Sequence, residues 1–110
     1  MKEFDEYQAF TRTTDICPDD KFNIGYKALG LAGEAGEVSD KIKKIFRDKA
    51  AKISSENKEA IAKELGDVLW YTAALSTAIG YNLSEIAAMN YDKLSKCKAE
   101  NKIHGSGDNR

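Results

Sequence analysis

The 110-residue chain is poor in the residues on which much enzyme chemistry is built. It has one histidine, His104, so neither the Glu-x-x-His pairs of di-iron bundles nor a helix-borne Ser/Cys–His nucleophile finds support. Its two cysteines, Cys17 and Cys97, stand far apart without a CxxC or a zinc spacing, and read as free thiols. Pro18 is the only proline. Charge of one sign is missing as well: 17 Lys+Arg face 18 Asp+Glu, a net charge of −1, which leaves no global field to attract nucleic acid or an anionic membrane. There is no glycine-rich phosphate loop and no dinucleotide fingerprint. The stretch Val68–Leu83 lacks Asp, Glu, Lys and Arg, but it is short for a bilayer and contains Thr72, Ser76, Thr77, Gly80 and Asn82. Met1-Lys2-Glu3-Phe4-Asp5-Glu6 puts acids where a secretion signal needs an apolar run. The expectation is a cytoplasmic protein forming one small domain over residues 1–110.

What is present is helical patterning. Phe4, Tyr7 and Phe10 recur at the spacing of a short amphipathic helix, and Thr13–Lys21, around Pro18, reads as a connection. A second helix is predicted from about Phe22 to Arg47 on the apolar period of Ile24, Leu31, Val38, Ile42 and Ile45. After a polar loop, Ser54 or Ser55 caps a third helix from about Glu56 to Ile79, stopped at Gly80. Asn82 with Glu85 three residues on forms a capping box for a fourth helix carrying Ile86, Met89, Leu94 and Cys97. The tail from Asn101 to Arg110 is too polar and glycine-rich to continue it, and reads as flexible. No strand alternation is visible. The fold class is therefore all-α, a four-helix-type bundle.

The third helix is apolar on more than one side. Ile61, Leu65, Val68, Leu69, Thr72, Leu75 and Ile79 form one stripe, while Trp70 falls opposite, among Ala73, Ala74 and Thr77. A chain this short covers one such face, so a second copy is expected to cover the other, giving a homodimer or a dimer of dimers.

Two carboxylate pairs, Glu34–Glu37 and Glu64–Asp67, sit at i, i+3, so each pair projects from one helix face. Like charges at this spacing cost a few tenths of a kcal/mol per pair (about 0.2–0.5). Glu37 has Lys41 four residues on, and Asp67 has Lys63 in the less favourable order; Glu34 and Glu64 have no basic residue at ±4. Gly30, Gly33 and Gly36 surround the first pair, each about 1 kcal/mol worse than Ala in a helix interior, which points to close helix packing there. Such packing also brings acids of two helices within reach of one ion. A hard-cation site, a solvated charged face and a buried ion-pair network all remain open, and the first accounts for the most. An all-oxygen donor set suits Mg²⁺, with Mn²⁺ as a substitute.

The run Leu29-Gly30-Leu31-Ala32-Gly33-Glu34-Ala35-Gly36-Glu37-Val38-Ser39-Asp40, followed by Lys63-Glu64-Leu65-Gly66-Asp67-Val68-Leu69-Trp70-Tyr71, resembles the MazG-like nucleoside triphosphate pyrophosphohydrolases. Their signature is an ExxE on one helix and an ExxD on the next; here 26 residues lie between Glu37 and Glu64. The resemblance spans about residues 25–110, including the ending Gly105-Ser106-Gly107-Asp108-Asn109-Arg110. It implies a compact helical fold completed by oligomerisation, with Glu34, Glu37, Glu64 and Asp67 as Mg²⁺ ligands. The implied reaction cleaves (deoxy)nucleoside triphosphates between the α and β phosphates, giving monophosphate and pyrophosphate in the service of nucleotide-pool cleaning. Glu37 and Glu64 are the catalytic choices, Glu37 as the base that takes the proton of the attacking water.

Substrate contacts are expected from Tyr71, one turn past Asp67, which either stacks on the nucleoside or is a core aromatic. Asn90 and Lys93, sharing a face of the fourth helix, meet sugar or phosphate or else form a solvated face. Lys41 and Lys44 are alternative phosphate contacts, and Asn109 and Arg110 either close over the nucleotide or stay disordered. The competing reading is a nonenzymatic helical oligomerisation module stabilised by metal.

Overall fold

The computed structural model describes residues 3–49 and 52–101. Four α-helices follow one another: α1 (Phe4–Thr14), α2 (Asn23–Arg47), α3 (Ser55–Ala78) and α4 (Leu83–Ala99), with no strand among the described residues. The ends form for local reasons. Ser54 caps α3, its hydroxyl accepting from Asn57 N–H at 3.1 Å. Gly80 ends that helix in the left-handed region at φ +83°, which glycine adopts without a Cβ penalty. The Glu85 carboxylate reaches back to accept from Asn82 N–H at 2.9 Å and opens α4. Asp5 of α1 caps the same helix from a distance, accepting from Ser84 N–H at 3.0 Å and Ser84 Oγ at 2.7 Å.

α2 and α3 form an antiparallel hairpin, seen in the register of its contacts. Gly30 meets Tyr71, Glu34 faces Glu64 and Asp67, and Lys41 reaches Glu64. α1 packs against α3 and α4 and is held by polar groups. Gln8, 1% exposed, donates to Thr77 Oγ1 at 3.0 Å and to the Tyr81 carbonyl at 2.9 Å, and accepts from Leu83 N–H at 2.8 Å. Trp70 Nε1 donates to Thr14 Oγ1 at 2.7 Å.

The hairpin thus covers the Glu64–Asp67–Tyr71 side of α3, and α1 covers the Trp70–Thr77 side. The stripe on the remaining side stays partly open: Leu65, Leu69 and Ile79 are 52%, 42% and 49% exposed. Among the described residues buried apolar side chains are few, namely Ile45, Ala73, Ala74, Leu83 and Cys97. The radius of gyration, 16.7 Å, exceeds the roughly 13 Å of a compact chain this long.

The glycines correct one expectation. Only Gly30 is required by close approach, since a Cβ there would drive into the Tyr71 ring, whereas Gly33 and Gly36 have nothing within 4 Å of theirs. Gly30→Ala is therefore expected to lose about 1–3 kcal/mol to overpacking, against which about 1 kcal/mol of helix propensity is regained. Gly33→Ala, with no clash within the chain, should gain up to about 1 kcal/mol. Urea unfolding of the two variants checks the opposite signs.

Candidate active site

Glu34 projects from the middle of α2 toward α3, where Glu64 and Asp67, one turn apart, project back. One carboxylate oxygen from each of the three lies within 4.8 Å of the other two. Glu34 and Glu64 are half-buried and Asp67 is exposed, so the group opens to solvent on one side. Burial, then the charges of Asp67, Glu64 and Glu37, push the Glu34 carboxyl above its ordinary pKa. That is the electrostatic mark of acids gathered without enough positive charge.

The basic residues do not relieve it. Lys41 reaches Glu64 at 3.7 Å across the hairpin instead of pairing with Glu37 on its own helix. Lys63 pairs with Glu59, not with Asp67. Lys43 and Lys44 pair with Asp40 at 3.1 and 2.8 Å, and their hydrogen bonds hold that carboxyl down at about 2. Among the described residues, no Lys or Arg lies within ion-pair distance of Glu34, Glu37 or Asp67. An ion-pair network is therefore not what the cluster is.

The donor set fits a small divalent cation. Mg²⁺ takes oxygens at 2.0–2.1 Å, so opposed ligands stand about 4.2 Å apart and adjacent ones about 3 Å. The three oxygens, all within 4.8 Å of one another, are close to that spacing.

Glu37 lies one turn beyond Glu34 and is exposed, outside the group of three. It remains near enough for its charge to act on Glu34 and on Lys44. Of the four acids expected to converge, the structure thus gathers three and leaves the fourth at the edge. Tyr71 is half-buried against Gly30. Burial, the hydrogen-bonded Tyr26 hydroxyl, and the charges of Glu34 and Asp15 push its pKa up. Asn90 is exposed and Lys93 half-buried on α4, a helix that touches α1 and α3 but not α2 among the described residues. His104, Asn109 and Arg110 lie outside the described residues.

A sequence model of the "MazG nucleotide pyrophosphohydrolase domain" matches residues 26–100, the segment that holds both acid pairs. The chain belongs to the MazG family. It is also 42% identical over 111 residues to the "Gene 37 protein" of Mycobacterium phage L5, covering 96% of this chain and 97% of that one. No solved structure matches it.

Around the MazG acids the fold gathers residues that the sequence did not assign to the site. Tyr7 of α1 lies near Asp67: burial, then that carboxylate, raise its hydroxyl's pKa. Trp70, placed by its wheel position away from Tyr71, meets it edge-on with ring centroids 5.0 Å apart. Both line a cavity of about 530 Å³ with Tyr26 of α2 and Phe22 just before it. Lys27, 1% exposed, closes a 2.8 Å ion pair with Asp15 and donates to Asn23 Oδ1 at 3.3 Å, tying the α1–α2 connection to α2. The Asn23–Lys27 spacing was the only sequence signal for this clamp; its decisive partner, Asp15, lies on a different element.

Proposed function

We propose that this MazG-family chain is a Mg²⁺-dependent pyrophosphohydrolase. It cleaves (deoxy)nucleoside triphosphates between the α and β phosphates and so removes unwanted nucleotides from the cytoplasmic pool. The observation that carries this reading is the convergence of Glu34, Glu64 and Asp67 on one point from two helices, without enough cations of their own.

When bound, magnesium supplies charge neutralisation for the triphosphate and acidifies a water. Glu34, Glu64 and Asp67 would hold it, and Glu37, at the edge of the group, would either complete the ligand set or take the proton of the attacking water. Mn²⁺ suits the same oxygens. Lys41, only loosely paired with Glu64 at 3.7 Å, is assigned to the departing pyrophosphate, ahead of Lys44, which Asp40 holds more closely at 2.8 Å. Tyr71 flanks the nucleoside, and Asn90 and Lys93 of α4 are assigned to sugar and phosphate.

The chain works as a dimer or tetramer, with the open α3 stripe of Leu65, Leu69 and Ile79 covered by a second copy. No helix of the described residues is long and apolar enough to cross a membrane.

The deciding experiment incubates the protein with each dNTP and Mg²⁺ and separates the products. Monophosphate with pyrophosphate supports the reading, and diphosphate with orthophosphate contradicts the bond assignment. Magnesium-dependent stabilisation without any hydrolysis would instead identify a metal-stabilised helical module.

A further inference from the structure

We propose that Lys41 is a placeholder cation for the acid cluster. In the metal-free protein it pairs with Glu64, and metal binding displaces it, releasing its ammonium to meet pyrophosphate. The inference rests on the acid cluster being the metal and phosphate site proposed above, and gives this lysine two successive partners there.

The choice of partner is the first observation. Glu37 lies four residues before Lys41 on α2, the favourable order for an ion pair within one helix. Lys41 nevertheless reaches across the hairpin to Glu64, at 3.7 Å. A lysine that forgoes its local partner for a long contact is answering a stronger potential. Three carboxylates with oxygens within 4.8 Å of one another supply that potential. The neighbouring lysines are engaged elsewhere. Lys43 and Lys44 hold Asp40 at 3.1 and 2.8 Å, and Lys63 holds Glu59 at 3.7 Å. Lys41 is the one that turns to the cluster.

The contact also suits displacement. It is longer than the roughly 2.7–2.9 Å of a charge-assisted hydrogen bond, and the Lys41 side chain is 41% exposed. Such a pair contributes little, so a divalent ion taking the same carboxylate displaces it at small cost. With the cluster neutralised, the pull toward Glu64 is gone, and the ammonium swings free on its flexible stem. It stays close by, because Lys41 lines a cavity of about 180 Å³ with Lys44 and Asn57. Pyrophosphate oxygens then supply the negative charge that Glu64 no longer offers. Lysine and metal thus oppose each other at Glu64, and the opposition is reciprocal.

Opposite shifts from a single substitution test this exchange. Lys41→Met removes the charge with little change in helix propensity, and circular dichroism verifies the fold. By calorimetry the variant should bind Mg²⁺ alone about three- to fivefold more tightly, because a weak competitor is gone. Inorganic pyrophosphate, titrated at saturating Mg²⁺, should bind it about tenfold more weakly. Lys44→Met removes the same charge three residues on and should leave Mg²⁺ affinity near wild type. In the unaltered protein, labelling with an amine-reactive ester, followed lysine by lysine by mass spectrometry, should quicken at Lys41 when Mg²⁺ is added and stay constant at Lys44.

Unchanged or weaker Mg²⁺ binding in Lys41→Met overturns the inference, as does an equal gain in Lys44→Met. A Lys41 labelling rate indifferent to Mg²⁺ overturns it without recourse to any variant, and unaltered pyrophosphate affinity removes the second partner. In protein that hydrolyses dNTPs, those results leave the hydrolase reading standing. Both opposite shifts in protein that hydrolyses none uphold the exchange and refute that reading, so the two failures are distinct.

Discussion

Glu64→Gln is expected to lower dNTP pyrophosphohydrolysis by roughly a thousandfold or more while the protein stays folded. The substitution keeps the volume and one oxygen of the side chain but removes its charge from a group in which three carboxylates share one space. Asp67→Asn should match it. Their stability should hold because each removes like-charge repulsion, and the one ion pair lost, Lys41–Glu64 at 3.7 Å, is long and partly exposed. Glu37→Gln separates the two roles left open for that residue. As a ligand it should weaken magnesium binding; as the base it should lower kcat at saturating magnesium with the metal affinity intact. Measuring initial rates over a magnesium series in the variants gives both quantities. Wild-type rates in Glu64→Gln and Asp67→Asn would dismiss the acid cluster as the seat of activity.

Much of this site was legible in the sequence because it obeys helical periodicity. Acids at i, i+3 on two long amphipathic segments must each share a face, and a short connection between the segments makes them antiparallel neighbours. Glu34, Glu64 and Asp67 follow directly. The capping residues Ser54 and Asn82–Glu85 and the stop at Gly80 follow from equally local chemistry. The family resemblance rested on the same local features, so one regular element supported both readings.

What escaped the sequence depends on chain segments that periodicity does not relate. Wheel geometry places Trp70 and Tyr71 on different sides of α3, and so they are. They line one cavity because the α1–α2 connection wraps around the helix, and its path is set by Lys27 with Asp15 and by Trp70 with Thr14. Three glycines of equal standing in the sequence turned out unequal, since only Gly30 opposes a ring. Lys41 belongs to Glu64, not to Glu37, because a hairpin contact competes with the i, i+4 pair. In each case a tertiary neighbour overrode a local rule, and the sequence carries no periodic mark of such neighbours.

Glu34→Gln should make the metal-free protein more stable at neutral pH and at the same time make it nearly indifferent to magnesium. The sign follows from linkage. Glu34 has a folded-state pKa above its unfolded value, so its protonated form is favoured by the fold. Its contribution is most favourable below the unfolded pKa and is lost as pH rises through the higher folded value. Glutamine mimics the protonated acid, so variant and wild type should converge in stability at acid pH. The variant should pull ahead above the ordinary glutamate range. Comparing the two proteins cancels the opposite trend from Asp5, Asp15, Asp40 and Asp48, whose lowered pKa values remove stability as pH falls. Magnesium should reverse the order at neutral pH. At a hundred times its Kd it should stabilise the wild type by about 2.7 kcal/mol, which for a domain of this size would raise Tm by about ten degrees or more. The variant, short of one charged ligand, should show only a small part of that shift. Thermal melts of both proteins across pH, with and without magnesium, provide the four curves required. Equal magnesium shifts would remove Glu34 from the ligand set. A metal-free variant less stable than wild type at neutral pH would mean that the clustered acids are not repelling one another, and the proposed cation would lose its physical reason.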